Sequence, residues 1–95
     1  MSMIPMNPGF TPVLNIMGYA YMEKGDFDNA GKKFQEQIRR ASGSANPYDS
    51  MGDYYYNIGN KVDALKYFEQ SASMGLKASA VKVDSLKAEL DKDNE

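Results

Sequence analysis

Leu14 to Asp26 reads Leu-Asn-Ile-Met-Gly-Tyr-Ala-Tyr-Met-Glu-Lys-Gly-Asp, and this stretch decides the fold. Its apolar residues fall on almost every side of a helix, which is unusual near the start of a small chain. It ends at Gly25, because glycine takes the left-handed conformation most cheaply, and Asp26 can cap the element that follows. The same pattern returns later. Sliding the chain by 34 residues puts Met17 on Met51, Gly18 on Gly52, Tyr21 on Tyr55, Gly25 on Gly59, Ala30 on Ala64, Lys32 on Lys66 and Phe34 on Phe68. Asp26 falls on Asn60, one capping residue on another. These matches sit where packing constrains size. Gly18 and Ala30 allow two helices to approach closely, and Met17, Tyr21 and Phe34 fill the volume around them.

Outward from this stretch, punctuation residues divide the chain into helices. Thr11-Pro12 is a hydroxyl cap followed by a proline at a first helical position, so the first helix runs from there to Glu23 or Lys24. A second helix is predicted over Phe27 to Ala41, with Phe27, Ala30, Gly31, Phe34, Ile38 and Ala41 on one face. Asn46-Pro47 repeats the cap-and-proline device and opens a third helix to about Ile58. A fourth is predicted from Val62 to Met74, with Leu65, Phe68 and Ala72 inward. A fifth covers Ser79 to Asp91. Its stripe is Ala80, Val83, Leu86 and Leu90, and Lys82, Asp84, Lys87, Glu89 and Lys92 face water. Met1 to Phe10 holds Pro5, Pro8 and Gly9, which break helix and predict an extended arm, either a loose leader or a segment laid on an apolar surface.

The pattern Met17-Gly18, Tyr21, Gly25-Asp26-Phe27, Ala30, Phe34, repeated as Met51-Gly52, Tyr55, Gly59-Asn60, Ala64, Phe68, resembles the tetratricopeptide repeat family, whose period is 34. The resemblance covers residues 11–78. It implies an all-α fold: two antiparallel helix hairpins stacked as a short right-handed solenoid, with a C-terminal capping helix. The implied division is an arm at 1–10, repeats at 11–44 and 45–78, and the capping helix with a frayed tail at 79–95. The chain departs from the family pattern in places. Leu14 and Tyr48 stand where a Trp is frequent, Lys61 replaces an aromatic, and Gln37 and Ser71 occupy the position of a small residue in the second helix.

Composition narrows the function. The 95 residues make one domain at most, with 11 basic and 13 acidic side chains for a net charge of -2. That balance argues against nucleic-acid binding, which needs a clustered basic excess. Arg39-Arg40 reads as a favourable charge pair at a helix C-terminus rather than a phosphate site. With no His and no Cys, the chain lacks the commonest general base and the commonest metal ligands, so no enzyme activity, metal or cofactor is expected. No apolar run is long enough to span a bilayer and no signal peptide is evident, so membrane insertion is not expected. The compartment stays open, with the cytoplasm as the preferred expectation.

The expected activity is a non-catalytic protein–protein interaction. In the tetratricopeptide family the first helix of each repeat lines a concave groove that holds a peptide. Motif alignment carries that groove onto Asn15, Tyr19, Met22 and Glu23, then Asn46, Asp49, Asp53, Tyr56 and Asn57, with Val83 and Lys87 as additions from the capping helix. No Lys or Arg stands at the positions of the family's chaperone clamp, so capture of chaperone C-termini is not expected. Asp49 and Asp53 share one helix face, four residues apart. They read as solvated carboxylates near a helix N-terminus, as contacts for a basic peptide side chain, or as an acid–base pair that would need a pocket to shift one pKa. Tyr56 suits recognition and Tyr54 suits packing on a neighbouring helix. Met17, Met51 and Met74 read as core filler. Two repeats and a cap fall short of the three units such arrays usually need, and Val13, Ile16, Tyr19, Ala20 and Met22 would face water, so a homodimer through the first helix is a further expectation. The alternative is an accessory segment of an enzyme or larger assembly.

Overall fold

Glycine and capping side chains set the boundaries between elements. The computed structural model describes residues 10–93, and among them the only regular elements are five α-helices joined by short turns. These are α1 (Phe10–Glu23), α2 (Phe27–Arg40), α3 (Ala45–Asn57), α4 (Lys61–Ser73) and α5 (Lys77–Asp93). The arm expected before Phe10 lies outside the described residues. At Gly25 the backbone has φ of 82°, and the next N–H, on Asp26, reaches back to the Tyr21 carbonyl at 2.9 Å. Gly59 repeats this at φ of 88°, with Asn60 N–H on the Tyr55 carbonyl at 2.9 Å. Both are left-handed helix stops that side chains with a Cβ adopt only under strain. Asp26 and Asn60 then cap the next helices, accepting from the N–H of Asn29 and Asp63.

Several expected boundaries shift by one or two residues. α1 begins at Phe10, and Pro12 falls inside the first turn, where no intrahelical N–H is needed. α3 begins at Ala45 with Ser44 at the cap position. Asn46 therefore lies within the helix and is exposed rather than capping. α5 starts at Lys77 and ends at Asp93, longer than expected at both ends.

Consecutive helices run antiparallel. Tyr48 and Tyr55 of α3 both stack on Tyr67 of α4, while Ala45 at the start of α3 meets Ser71 near the end of α4. α4 and α5 pair the same way, from Ser71–Ser79 at one end to Lys61–Asp93 at the other. The close approach of α1 to α2 and of α3 to α4 depends on a glycine facing a phenylalanine. A Cβ built on Gly18 would lie 2.5 Å from the Phe34 ring, and one on Gly52 would lie 2.5 Å from Phe68. Phe34 is fully buried and Phe68 nearly so.

The core has two centres. Ala30, Phe34 and Met51 form one, with Tyr19, Tyr21, Ile38 and Tyr54 packed around it. Ala64, Phe68, Val83 and Leu86 form the other, and Tyr55 borders both. An unbroken series of rings runs through them: Tyr48, Tyr67, Tyr55, Tyr54, Phe34 and Tyr19, with successive centroids 6.5, 5.4, 5.2, 6.2 and 5.1 Å apart. Tyr54 packs on a neighbouring helix, as its position in sequence predicts, with its hydroxyl over Gly31 of α2. On α5 the inward stripe is Ser79, Val83 and Leu86, with Leu90 partly covered. Ala80, expected in that stripe, is exposed, because the stripe follows the polar contacts of Ser79.

Candidate functional site

The candidate groove residues lie on α1 and α3, so their geometry starts from how those two helices and α5 sit together. The side chains that join them lie 33 to 35 residues apart. Ser50 donates to Asn15 at 2.5 Å across 35 residues, and the Tyr19 hydroxyl donates to Asp53 at 2.5 Å across 34. Lys82 donates to Asp49 at 2.9 Å across 33, and the Tyr56 hydroxyl donates to Glu89 at 3.0 Å across 33. α1, α3 and α5 therefore lie parallel, each advanced by one repeat, with side-chain bonds stitching each to the next.

The centre of this seam is a charge cluster. Lys82 reaches both Asp49 (2.9 Å) and Asp53 (3.2 Å), while its ammonium lies 5.3 Å from the centre of the Phe68 ring. Ser79 donates to the second Asp49 oxygen at 2.6 Å, and Tyr19 to the second Asp53 oxygen. Partial burial alone would lower the Lys82 pKa, but the bond to Asp49 and the field of Asp53 outweigh it and raise it. The Tyr19 hydroxyl is raised well above the usual phenol value, first by burial and then by its bond to Asp53.

Tyr19, Asp49 and Asp53 thus face one another and hold three helices in register. The two carboxylates are not free to receive a peptide's basic side chain, since Lys82 of the same chain already fills that role. Lys82 and Glu89, expected to face water, are both engaged across the seam: Glu89 accepts from Tyr56 and lies 3.3 Å from Lys61. Of the α5 additions, Val83 packs into the core against Phe68, and Lys87 turns toward Glu69 of α4 at 3.7 Å. Neither lines the shared face. The α5 positions that do are Val81, Lys82, Ser85, Leu86 and Glu89.

Three clefts open around the seam. One, of about 480 Å³, is lined by Asn15, Ile16, Tyr19, Ala20, Met22, Glu23 and Asn57. A second, of about 350 Å³, lies at the N-terminal ends of α1 and α3 and includes Asn15, Tyr19, Gln37, Asn46 and Asp49. A third, of about 220 Å³, has Phe68, Val81 and Leu86 as its apolar floor, and Asp53, Tyr56, Lys82 and Glu89 at its rim. The structure thereby gathers Asn15, Tyr19, Met22 and Asn57 around one opening, places Asn46 and Asp49 at another, and puts Asp53 and Tyr56 at the third. Asn57 folds its amide back onto the Asp53 carbonyl at 2.8 Å, and Tyr56 is 42% exposed.

Three residues absent from the expected site matter to it: Lys82, Ser79 and Gln37. The 34-residue spacing carried one step further takes Asp49 to Val83, so it misses Lys82, which lies 33 residues on, and Ser79, about one turn before that. Gln37 occupies the second-helix position where its repeat equivalent, Ser71, bonds Ala45 and Ser79. Gln37 is buried and its Oε1 has no hydrogen-bond partner among the described residues. No helix among those residues is long and apolar enough to cross a membrane. No family model matches the chain, and no curated protein is found to match it.

Proposed function

We propose that the chain is a non-catalytic interaction module of the tetratricopeptide type, a short right-handed solenoid that binds an extended peptide across the concave face of α1, α3 and α5. The observation that carries this reading is the parallel placement of those three helices at one-repeat steps, with clefts on either side of α3. A peptide crossing the helices would meet amide groups first, Asn15 and Asn57, which suit main-chain hydrogen bonding. It would then cross Tyr56 and reach the apolar floor of Phe68, Val81 and Leu86. The charge cluster takes a supporting role in this reading: it fixes the angle between helices and keeps the face rigid, which reduces the entropy lost on binding. The Asp49–Asp53 pair is held by a lysine on an open face, an arrangement unsuited to general acid–base chemistry, which needs one carboxyl poised to hold a proton.

A displayed library of random peptides, selected on the full chain and mapped by amide chemical shifts, tests this. Selected peptides should move Asn15, Met22, Tyr56, Asn57 and Ser85. They should bind at least tenfold more weakly to a Tyr56→Ala, Asn57→Ala variant of unchanged helicity. Shifts confined to α2 and α4, or undiminished binding by that variant, would place recognition elsewhere.

A further inference from the structure

We infer that α1 is a self-association surface, on which the α1 of a second copy packs antiparallel about a two-fold axis near Ile16. The internal repeat identifies the surface. Advancing Val13, Ile16 and Ala20 by 34 residues gives Pro47, Ser50 and Tyr54. In α3 these positions are covered: Pro47 and Ser50 are buried, and Tyr54 lies over Gly31 and against Phe34 of α2. This side of a first helix is therefore a helix-packing side. In α1 the same side is open, with Val13 48% and Ile16 67% exposed and Ala20 also exposed. The three residues stand at i, i+3 and i+7, the spacing of a seam between two helices.

Charge selects a second copy and sets its direction. From Phe10 to Met22, α1 contains no charged residue, so two identical faces meet without like-charge repulsion. Its first turn has no acidic side chain to complement the positive helix end, and its last turn has no basic one. Glu23 is exposed at the opposite end and makes no ion pair among the described residues. An antiparallel pairing centred between Ile16 and Met17 brings the Glu23 of each copy beside the first turn of the other, and sets Val13 against Ala20. One symmetry operation then supplies both first turns with the acidic group they lack. Ile16 and Ala20 also wall the 480 Å³ cleft, so a second copy would close its outer side. The inference rests on the repeat and the charge pattern, and stands whether or not the clefts bind peptide.

Sedimentation of the full chain from low to high micromolar concentration, together with cross-linking, tests the pairing. The chain has no native cysteine, so each introduced thiol reports alone. The expected results are a dimer that grows with concentration, and its loss in Ile16→Asp at unchanged helicity. Under mild oxidation Ile16→Cys should link to itself. Val13→Cys and Ala20→Cys should link to each other in a mixture but not each to itself, since a disulfide needs Cα atoms within about 7 Å. A chain that stays monomeric overturns the inference, whether the thiol of the Ile16→Cys variant is then open to a thiol reagent or shielded by residues 1–9. So does a dimer that survives Ile16→Asp, or one in which Val13→Cys links readily to itself.

Discussion

Gly18 and Gly52 are small because a ring lies where their side chains would be. The contacts at 2.5 Å would fall on the ring bodies of Phe34 and Phe68, both buried, rather than on the far end of a flexible side chain. Gly18→Ala or Gly52→Ala should cost about 1–3 kcal/mol, as overpacking of a core does. Gly31 makes the useful contrast. Its nearest neighbour is the Tyr54 hydroxyl at 2.8 Å, the far end of a side chain that can tilt away. Gly31→Ala gains up to about 1 kcal/mol of helix propensity and should be near neutral. Urea unfolding of the three variants checks the order, and equal losses at all three sites would contradict it. Gly18 and Gly52 are legible in sequence as close contacts because they recur with their phenylalanines at the same spacing. Gln37 is legible only as a departure from the pattern. Nothing in sequence shows that a buried amide will lack a partner for its oxygen.

Among the elements, α5 gains most from the structure. In sequence it is a lid with one dry side, because its extent and stripe rest on apolar residues alone. Its attachment is half polar: Ser79 and Lys82 anchor it to α3 and α4, and Glu89 and Asp93 take Lys61. Apolar periodicity cannot report such bonds, so it wrongly turns Ala80 inward and Lys82 outward. Lys82→Met would leave Asp49 and Asp53 without their counter-charge. It should cost about 1–2 kcal/mol, between the values for exposed and buried pairs, because the lysine side chain is 38% exposed and partly screened. The pH dependence has a definite sign. Lys82, Lys61 and Tyr19 all have pKa values raised in the fold, Lys82 against the pull of its own burial, Lys61 mainly by its bond to Asp93, and Tyr19 mainly by burial. Their contribution is complete below the unfolded values near 10–10.5 and is lost as pH rises through the higher folded ones. The urea midpoints of wild type and Lys82→Met should therefore converge above about pH 10.5. A gap that stays constant to high alkali would assign the loss to packing.

At the scale of the molecule, the described residues form an elongated body, with Cα extents of 57 × 30 × 15 Å and a radius of gyration of 14.0 Å, where a rounded domain of similar length would have about 12 Å. That shape follows from helices added one beside another, each touching mainly its neighbours in sequence. The all-helical architecture is legible from the 34-residue period and its glycine stops. The role of the acidic pair is not, because it depends on which lysine the stacking brings to it. One property of this packing belongs to light rather than to binding. Five of the seven tyrosines lie in the continuous series of rings from Tyr48 to Tyr19, and the chain has no tryptophan to drain their excitation. Energy absorbed by one ring will hop to differently oriented neighbours before emission. The folded protein should therefore emit depolarised tyrosine fluorescence even in a viscous medium that halts tumbling. Tyr55→Phe, which removes a central carrier while keeping a ring in place, should raise the anisotropy, and an unchanged value would mean that the rings do not exchange excitation along this path.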